Sequence, residues 1–235
     1  MLLAFTGLAA AAAASYAGYA SMAPHSQLYG RTVTHGSDPQ QMALTFDDGP
    51  NDPHTFHLLE ALAKYNAKAS FFMIGKYVRQ RPEIARAIHD AGHLIGNHTY
   101  THPNLIFVPA PKVKQELEDC GKALEDAVGE HQPWFRPPFG GRLPHVLRTS
   151  RSLGLTPVMW SITCYDWSAK SAETICGHAL RQIAHRVRPQ GEVVLLHDGG
   201  HLNFGTDRSH TVEAARWLLQ KYSGEGKKFV SIAEM

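Results

Sequence analysis

The sequence is poor in the residues that would tie it to several common classes of protein. Cysteine occurs only at Cys120, Cys164 and Cys176, with no CxxC spacing. That excludes a zinc knuckle and a thioredoxin-like redox motif and leaves small buried hydrophobes as the reading. No dense Lys/Arg run is present, and 23 basic against 21 acidic side chains give a net charge of +2. The electrostatic footprint of a nucleic-acid binder is missing, so no nucleic-acid partner is expected. Charged side chains are absent altogether from Met1 to Ala23, a stretch that includes the run Ala9 to Ala14. Such a segment reads as a signal peptide or a membrane anchor. Small residues at Gly18 and Ala20, or at Ser15 and Ala17, suit a cleavage site, whereas the missing basic start and a length near the roughly 20 residues that span a bilayer suit an anchor. In both cases the rest of the chain is expected outside the cytoplasm: periplasmic, in the cell envelope or extracellular. Residues 24–40, polar and aperiodic, read as a linker.

What remains is enough for one sizeable core, since the chain has 235 residues and is 43% hydrophobic. One catalytic domain is expected over residues 41–235. From Gln41 onward, short apolar runs rich in β-branched and aromatic residues alternate with segments whose apolar residues recur at helical spacing. Strands are predicted at Met42–Phe46, Ala69–Ile74, Leu94–Ile95, from Trp134, and at Pro157–Ile162, Val193–Leu196 and Phe229–Ile232. Helices are predicted after Pro53 and Pro82, along Val113–Val128, and near 144–152, 171–187 and 208–221. Repeated βα units imply a parallel sheet covered by helices, either a barrel or an open doubly wound sheet. The barrel is favoured: Asp47 and Asp48, His98 and His102, Arg136, Asp166 and His197 all follow predicted strands, and only a barrel gathers so many strand ends on one face. The fold class is therefore α/β, a distorted barrel of about seven parallel strands.

The chemistry is read from the same positions. Thr45-Phe46-Asp47-Asp48-Gly49-Pro50 delivers two adjacent carboxylates into an abrupt turn, where one acid could bind a metal while the other stays free as a base. The bland reading is a capped turn. His98-x-x-x-His102 adds two imidazoles; Gly96-Asn97 before them and Pro103 after them argue for a loop rather than a helix. Fifteen histidines in the chain make a metal site worth seeking. Two histidines, one acid and a position left for water make the donor set of a catalytic zinc. Arg136, on Arg136-Pro137-Pro138-Phe139-Gly140, could pair with the free aspartate. Trp160 and Tyr165-Asp166-Trp167 offer flat faces for a sugar ring, although tryptophans at strand ends are also ordinary core. His197 leaves a buried strand, and a carboxylate such as Asp166 against its ring would make it a general acid.

In this order these residues resemble the polysaccharide deacetylases, the NodB-homology carbohydrate esterases of family 4, from about Gln41 to the C-terminus. Thr45–Pro50, His98–His102, Arg136–Phe139, Tyr165–Trp167 and Leu195–Asp198 match the family's motifs in sequence. The resemblance implies Asp47 as general base, Asp48, His98 and His102 as ligands of one divalent metal (zinc, with cobalt or nickel as substitutes), Arg136 steadying Asp47, and Asp166 tuning His197 as general acid. It also implies the Phe139 backbone N–H as an oxyanion donor and Leu195 with Trp160 or Trp167 as walls of an acetyl pocket. The reaction implied is removal of N-acetyl groups from N-acetylglucosamine-containing polysaccharide, chitin oligomers or peptidoglycan, with no protein partner. Two departures stand out: Thr163 where the fourth motif often has an acid, and Phe139 where tyrosine is common. The competing readings are an O-acetyl esterase on a polymer such as xylan, a carbohydrate-binding homologue without catalysis, and an iron oxygenase using the same donor triad.

Overall fold

Strand β2, Gln41–Gly49, is buried from its second residue to its last, and the fold is assembled around it. The computed structural model describes residues 14–235; residues 1–13, with much of the uncharged leader, lie outside the described residues. A helix over residues 14–22 (α1) leads to β1 (His35–Gly36) and β2. Then follow α2 (His54–Lys64), β3 (Ala69–Met73), α3 (Gly75–Gln80), α4 (Pro82–Asp90), β4 (Leu94–Asn97), α5 (Ala110–Val128), β5 (Trp134–Phe135) and α6 (Pro144–Ser152). The chain ends with β6 (Thr156–Pro157), β7 (Ile162–Thr163), α7 (Ala172–Ala184), β8 (Gly191–His197), α8 (Ser209–Gly224) and β9 (Lys228–Phe229).

The strands form one sheet in the order β1-β8-β2-β3-β4-β5-β6, with β7 also on β8 and β9 on β2, and every pairing except β1 with β8 is parallel. The expected run Pro157–Ile162 is split: β6 pairs with β5, and the chain crosses to pair as β7 with β8. Counted as one run they give the seven parallel segments of a distorted barrel. Alternation along β2 builds two layers. Ala43 faces an inner core with Phe72, Val193 and Leu195, while Met42, Leu44 and Phe46 face an outer core against the helices. Phe46 stacks on Phe71 at 5.0 Å there. Cys120, Cys164 and Cys176 are free and buried, as read.

Two local expectations need correction, and one helix was not expected. Residues 24–40 are not a free tether. Val33 bridges Val158 and β1 joins the sheet edge at β8, so this segment lies across the gap between β6 and β8. It is anchored by the fully buried Arg142, whose guanidinium donates to the carbonyls of Ala23 (2.6 Å) and Ser26 (2.8 Å). Helix α3 has no counterpart in the reading, since six residues are too few to show a period. The last strand stops at Phe229 because Ser231 and Glu234 form a capping box that starts a 3-10 turn. Among the described residues no helix is long and apolar enough to cross a membrane.

Candidate active site

Register places the chemistry at one end of the barrel: Asp47 lies opposite His197 on β8 and Phe72 on β3, and Asn97, just before His98, lies opposite Phe135, just before Arg136. Alternation alone would send Asp48 to the outer layer. It does not go there, because β2 has an irregularity between Asp47 and Gly49 and Asp48 is left-handed, with φ 69°. A bulge of this kind inserts one residue and re-aims its side chain, so both carboxylates face the barrel mouth. The conformation is shared by Thr99, His102, Phe139 and Tyr165, which with Asp48 make five of the six non-glycine residues at positive φ among the described residues, all around the site. Each such residue costs about 1–3 kcal/mol and persists only where neighbours over-determine it. At the Asp48 turn the neighbour is Gly199, where a Cβ would lie 2.1 Å from the Asp48 carbonyl oxygen.

The metal-ligand candidates are built from the loop outward. Asn97 Oδ1 accepts from the Thr99 N–H (2.9 Å), Thr99 Oγ1 from the His102 N–H (3.0 Å), and Glu116 of α5 from both the N–H and hydroxyl of Thr101 (2.8 and 2.9 Å). Residues 98–102 form a loop, as the glycine and proline flanks predict, and these bonds fix it. His98 Nδ1 donates to the Arg136 carbonyl at 2.7 Å, which in the neutral ring assigns the lone pair to Nε2, 3.5 Å from Asp48 Oδ1. His102 Nε2 lies 3.0 Å from the same oxygen. Asp48 Oδ1 is buried and has no hydrogen-bond partner. An orphaned carboxylate oxygen facing two imidazole nitrogens, with all three ligand atoms within 4.8 Å of one another, is a donor set into which a divalent ion fits. Burial opposes charge on Asp48, but His102, His201 and His98 outweigh it and hold the acid well below the usual carboxylate range.

Asp47 is held differently. Arg136 Nη1 donates to its Oδ1 and to Thr45 Oγ1, both at 2.7 Å, and Nη2 donates to the Met159 carbonyl. The guanidinium is fully buried inside the barrel, 4.2 Å above the Phe72 ring. Asp166 Oδ1 meets His197 Nδ1 at 2.8 Å, while Oδ2 accepts from the His197 N–H (2.7 Å) and Thr211 Oγ1 (2.9 Å). Burial disfavours the imidazolium, yet Asp166, with Asp48 and Asp47 beyond it, raises the His197 pKa from 6.5 to about 9.

A cavity of about 510 Å³ opens above these groups, lined by Asp47, Asp48, His98, His102 and His197 together with Phe139, Trp160, Trp167 and Leu195. Arg136 and Asp166 lie behind that wall. Trp160 and Leu195 are buried in it, whereas Trp167 is half exposed at the mouth with its edge on His197. The Thr163 hydroxyl accepts from Trp160 Nε1 at 2.8 Å, so the departure in the fourth motif braces this wall. The sequence reading missed Thr211 and Glu116, which sit on helices whose inward faces look like packing. The glycine-containing segment from His201 to Asp207 reads in the sequence as a loop at the barrel mouth that shapes substrate entry, and His201, Leu202, Asn203 and Thr206 line the cavity.

The sequence profile of the family described as polysaccharide deacetylase matches residues 35–158. The chain belongs to the polysaccharide deacetylases. A Bacillus cereus peptidoglycan-N-acetylglucosamine deacetylase is 35% identical over 196 residues, covering 83% of this deacetylase and 87% of the relative. An Azorhizobium caulinodans chitooligosaccharide deacetylase is 37% identical over 190 residues, covering 78% and 88%. Among solved structures, a peptidoglycan N-acetylglucosamine deacetylase crystallised with a hydroxamate superposes with a TM-score of 0.77 at 30% identity, covering 87% of this chain and 91% of its own. The family is metal-dependent, and this deacetylase has an Asp-His-His site that can bind a metal.

Proposed function

We propose that this deacetylase hydrolyses N-acetyl groups on N-acetylglucosamine residues of a polysaccharide, chitin oligomers or peptidoglycan, releasing acetate and leaving a free amine. The observation that carries the reading is the contrast between two adjacent acids in one cavity, Asp48 facing two imidazoles and Asp47 facing a guanidinium. Asp48, His98 and His102 would hold one divalent ion, zinc by its preference for two histidines and a carboxylate. Bound there, it would supply Lewis-acid polarisation and lower the pKa of a water.

Asp47, with one oxygen fixed by Arg136, takes the proton of the attacking water on its other oxygen. The backbone N–H of Phe139 donates to the oxyanion that develops as the carbonyl becomes tetrahedral. His197, held by Asp166, then gives its proton to the amine as the C–N bond breaks. Trp160 and Leu195 wall the acetyl methyl, and Trp167 at the mouth offers its face to a sugar ring.

The uncharged Met1–Ala23 segment supports export, with the leader acting as a signal or an anchor. Cleavage at either candidate site, after Ala17 or after Ala20, would leave Ser21 and Ala23 in place to accept from Arg142. The substrate is tested by measuring acetate released from N-acetylglucosamine oligomers, peptidoglycan and acetylated xylan in parallel. Release from the amino-sugar polymers supports the proposal, and release from xylan alone makes the protein an O-acetyl esterase.

A further inference from the structure

His201 stands closer to the metal-ligand cluster than its place after the last motif suggests. Its Nδ1 is 3.7 Å from Asp48 Oδ2, the oxygen turned away from His98 and His102. Its ring stacks on His102, with centroids 4.8 Å apart and planes at 25°, and meets the Phe139 ring near its edge at 5.3 Å. The placement is fixed from below. Lys76 Nζ donates to the His201 carbonyl at 3.1 Å, and the Tyr77 hydroxyl donates to the carbonyls of Gly200 (3.1 Å) and His201 (3.3 Å). Farther along the same loop, Asn51 Nδ2 donates to the Thr206 carbonyl and Asn51 Oδ1 accepts the Gly205 N–H.

The other functional carboxylates are held by donors: Asp47 by Arg136, and Asp166 by His197 and Thr211. For Asp48, whose Oδ1 faces the ligand nitrogens, the nitrogen that faces Oδ2 is His201 Nδ1, 3.7 Å away. We propose that His201 is a positioning residue for the metal, donating its Nδ1–H to Asp48 Oδ2 in the loaded protein and so orienting Oδ1 as a ligand. The ligand atoms of Asp48, His98 and His102 converge without it, so His201 acts through Asp48. Outer partners of this kind typically change metal affinity by about 10–100-fold when removed.

The inference rests on the metal-dependent reading of the site, and its test needs no substrate. Zinc affinity is measured on the full chain by competition with a chromophoric chelator for wild type, His201→Ala and His201→Asn, Asn placing an amide donor where Nδ1–H stood. Urea unfolding of the metal-free forms runs alongside. The proposal predicts an affinity loss of about 10–100-fold in the Ala variant, recovery of most of it in Asn, and equal metal-free stabilities. Unchanged affinity in Ala overturns the proposal. Equal losses in both variants also overturn it, because the ring itself and not its donated proton would then be at work. Acetate release by wild type is a separate measurement. A protein that binds zinc as predicted but releases no acetate would sink the deacetylase reading and leave the role of His201 standing.

Discussion

At the scale of single residues, Asp47 and Asp48 are chain neighbours in opposite surroundings, a guanidinium for one and imidazoles for the other. Asp47→Asn is therefore predicted to abolish acetate release while keeping zinc, and His98→Ala to lose both, checked by metal content after dialysis. Equal metal loss in the two variants would mean the roles are misassigned. The pH profile tests the pair behind the wall. His197 must be protonated to act as an acid, so its contribution is present below its folded pKa of about 9 and is lost as pH rises through that value. A divalent ion nearby lowers the limb somewhat. Asp166→Asn removes the main charge that raises the pKa, so the alkaline limb of kcat/KM should move to lower pH by roughly 1–3 units. An unmoved limb would assign it to another group. The residue types and their order were legible in the sequence, but the ranking of the two acids was not. That depends on the bulge at Asp48, and a left-handed aspartate leaves no trace in hydrophobic periodicity.

At the scale of elements, the loop carrying His98 and His102 was legible as a loop because Gly96-Asn97 and Pro103 bracket it. Its rigidity was not legible, since it comes from α5. Glu116 is 1% exposed and accepts two hydrogen bonds from Thr101. In the pattern of a helix it is one acid among several. Glu116→Ala removes the carboxylate that accepts from the Thr101 N–H and hydroxyl and should cost about 0.5–1.5 kcal/mol for each bond in urea unfolding, with weaker zinc binding as the loop relaxes. Unchanged stability would show that water replaces the carboxylate. Strand ends were harder to read for a similar reason. The crossing from β6 to β7 and the stop after β9 are set by partners and a cap, while the sequence shows only apolar runs.

At the scale of the whole molecule, the barrel was inferred from the position of reactive residues after strands, and the sheet order places them at one mouth. The contribution of residues 24–40 was not visible, because a segment that satisfies one buried arginine with backbone carbonyls needs no hydrophobic pattern. Beginning the chain at Gln41 would remove the Ala23 and Ser26 carbonyls from Arg142 and Val33 from its bridge to Val158. Two hydrogen bonds to a charged group are worth about 1.5–3 kcal/mol each, so the shortened chain should unfold at clearly lower urea than one beginning at residue 14. Equal midpoints would return residues 24–40 to the status of a tether.

The central claim, metal-assisted removal of an N-acetyl group with Asp47 as base, is tested most directly by acetate release from N-acetylglucosamine oligomers. The protein is stripped of metal, then supplied with zinc, with Asp47→Asn treated identically. The account predicts no release without metal, restored release with zinc, and none from a zinc-loaded Asp47→Asn protein. Release that persists without metal, or that survives in Asp47→Asn, would contradict it.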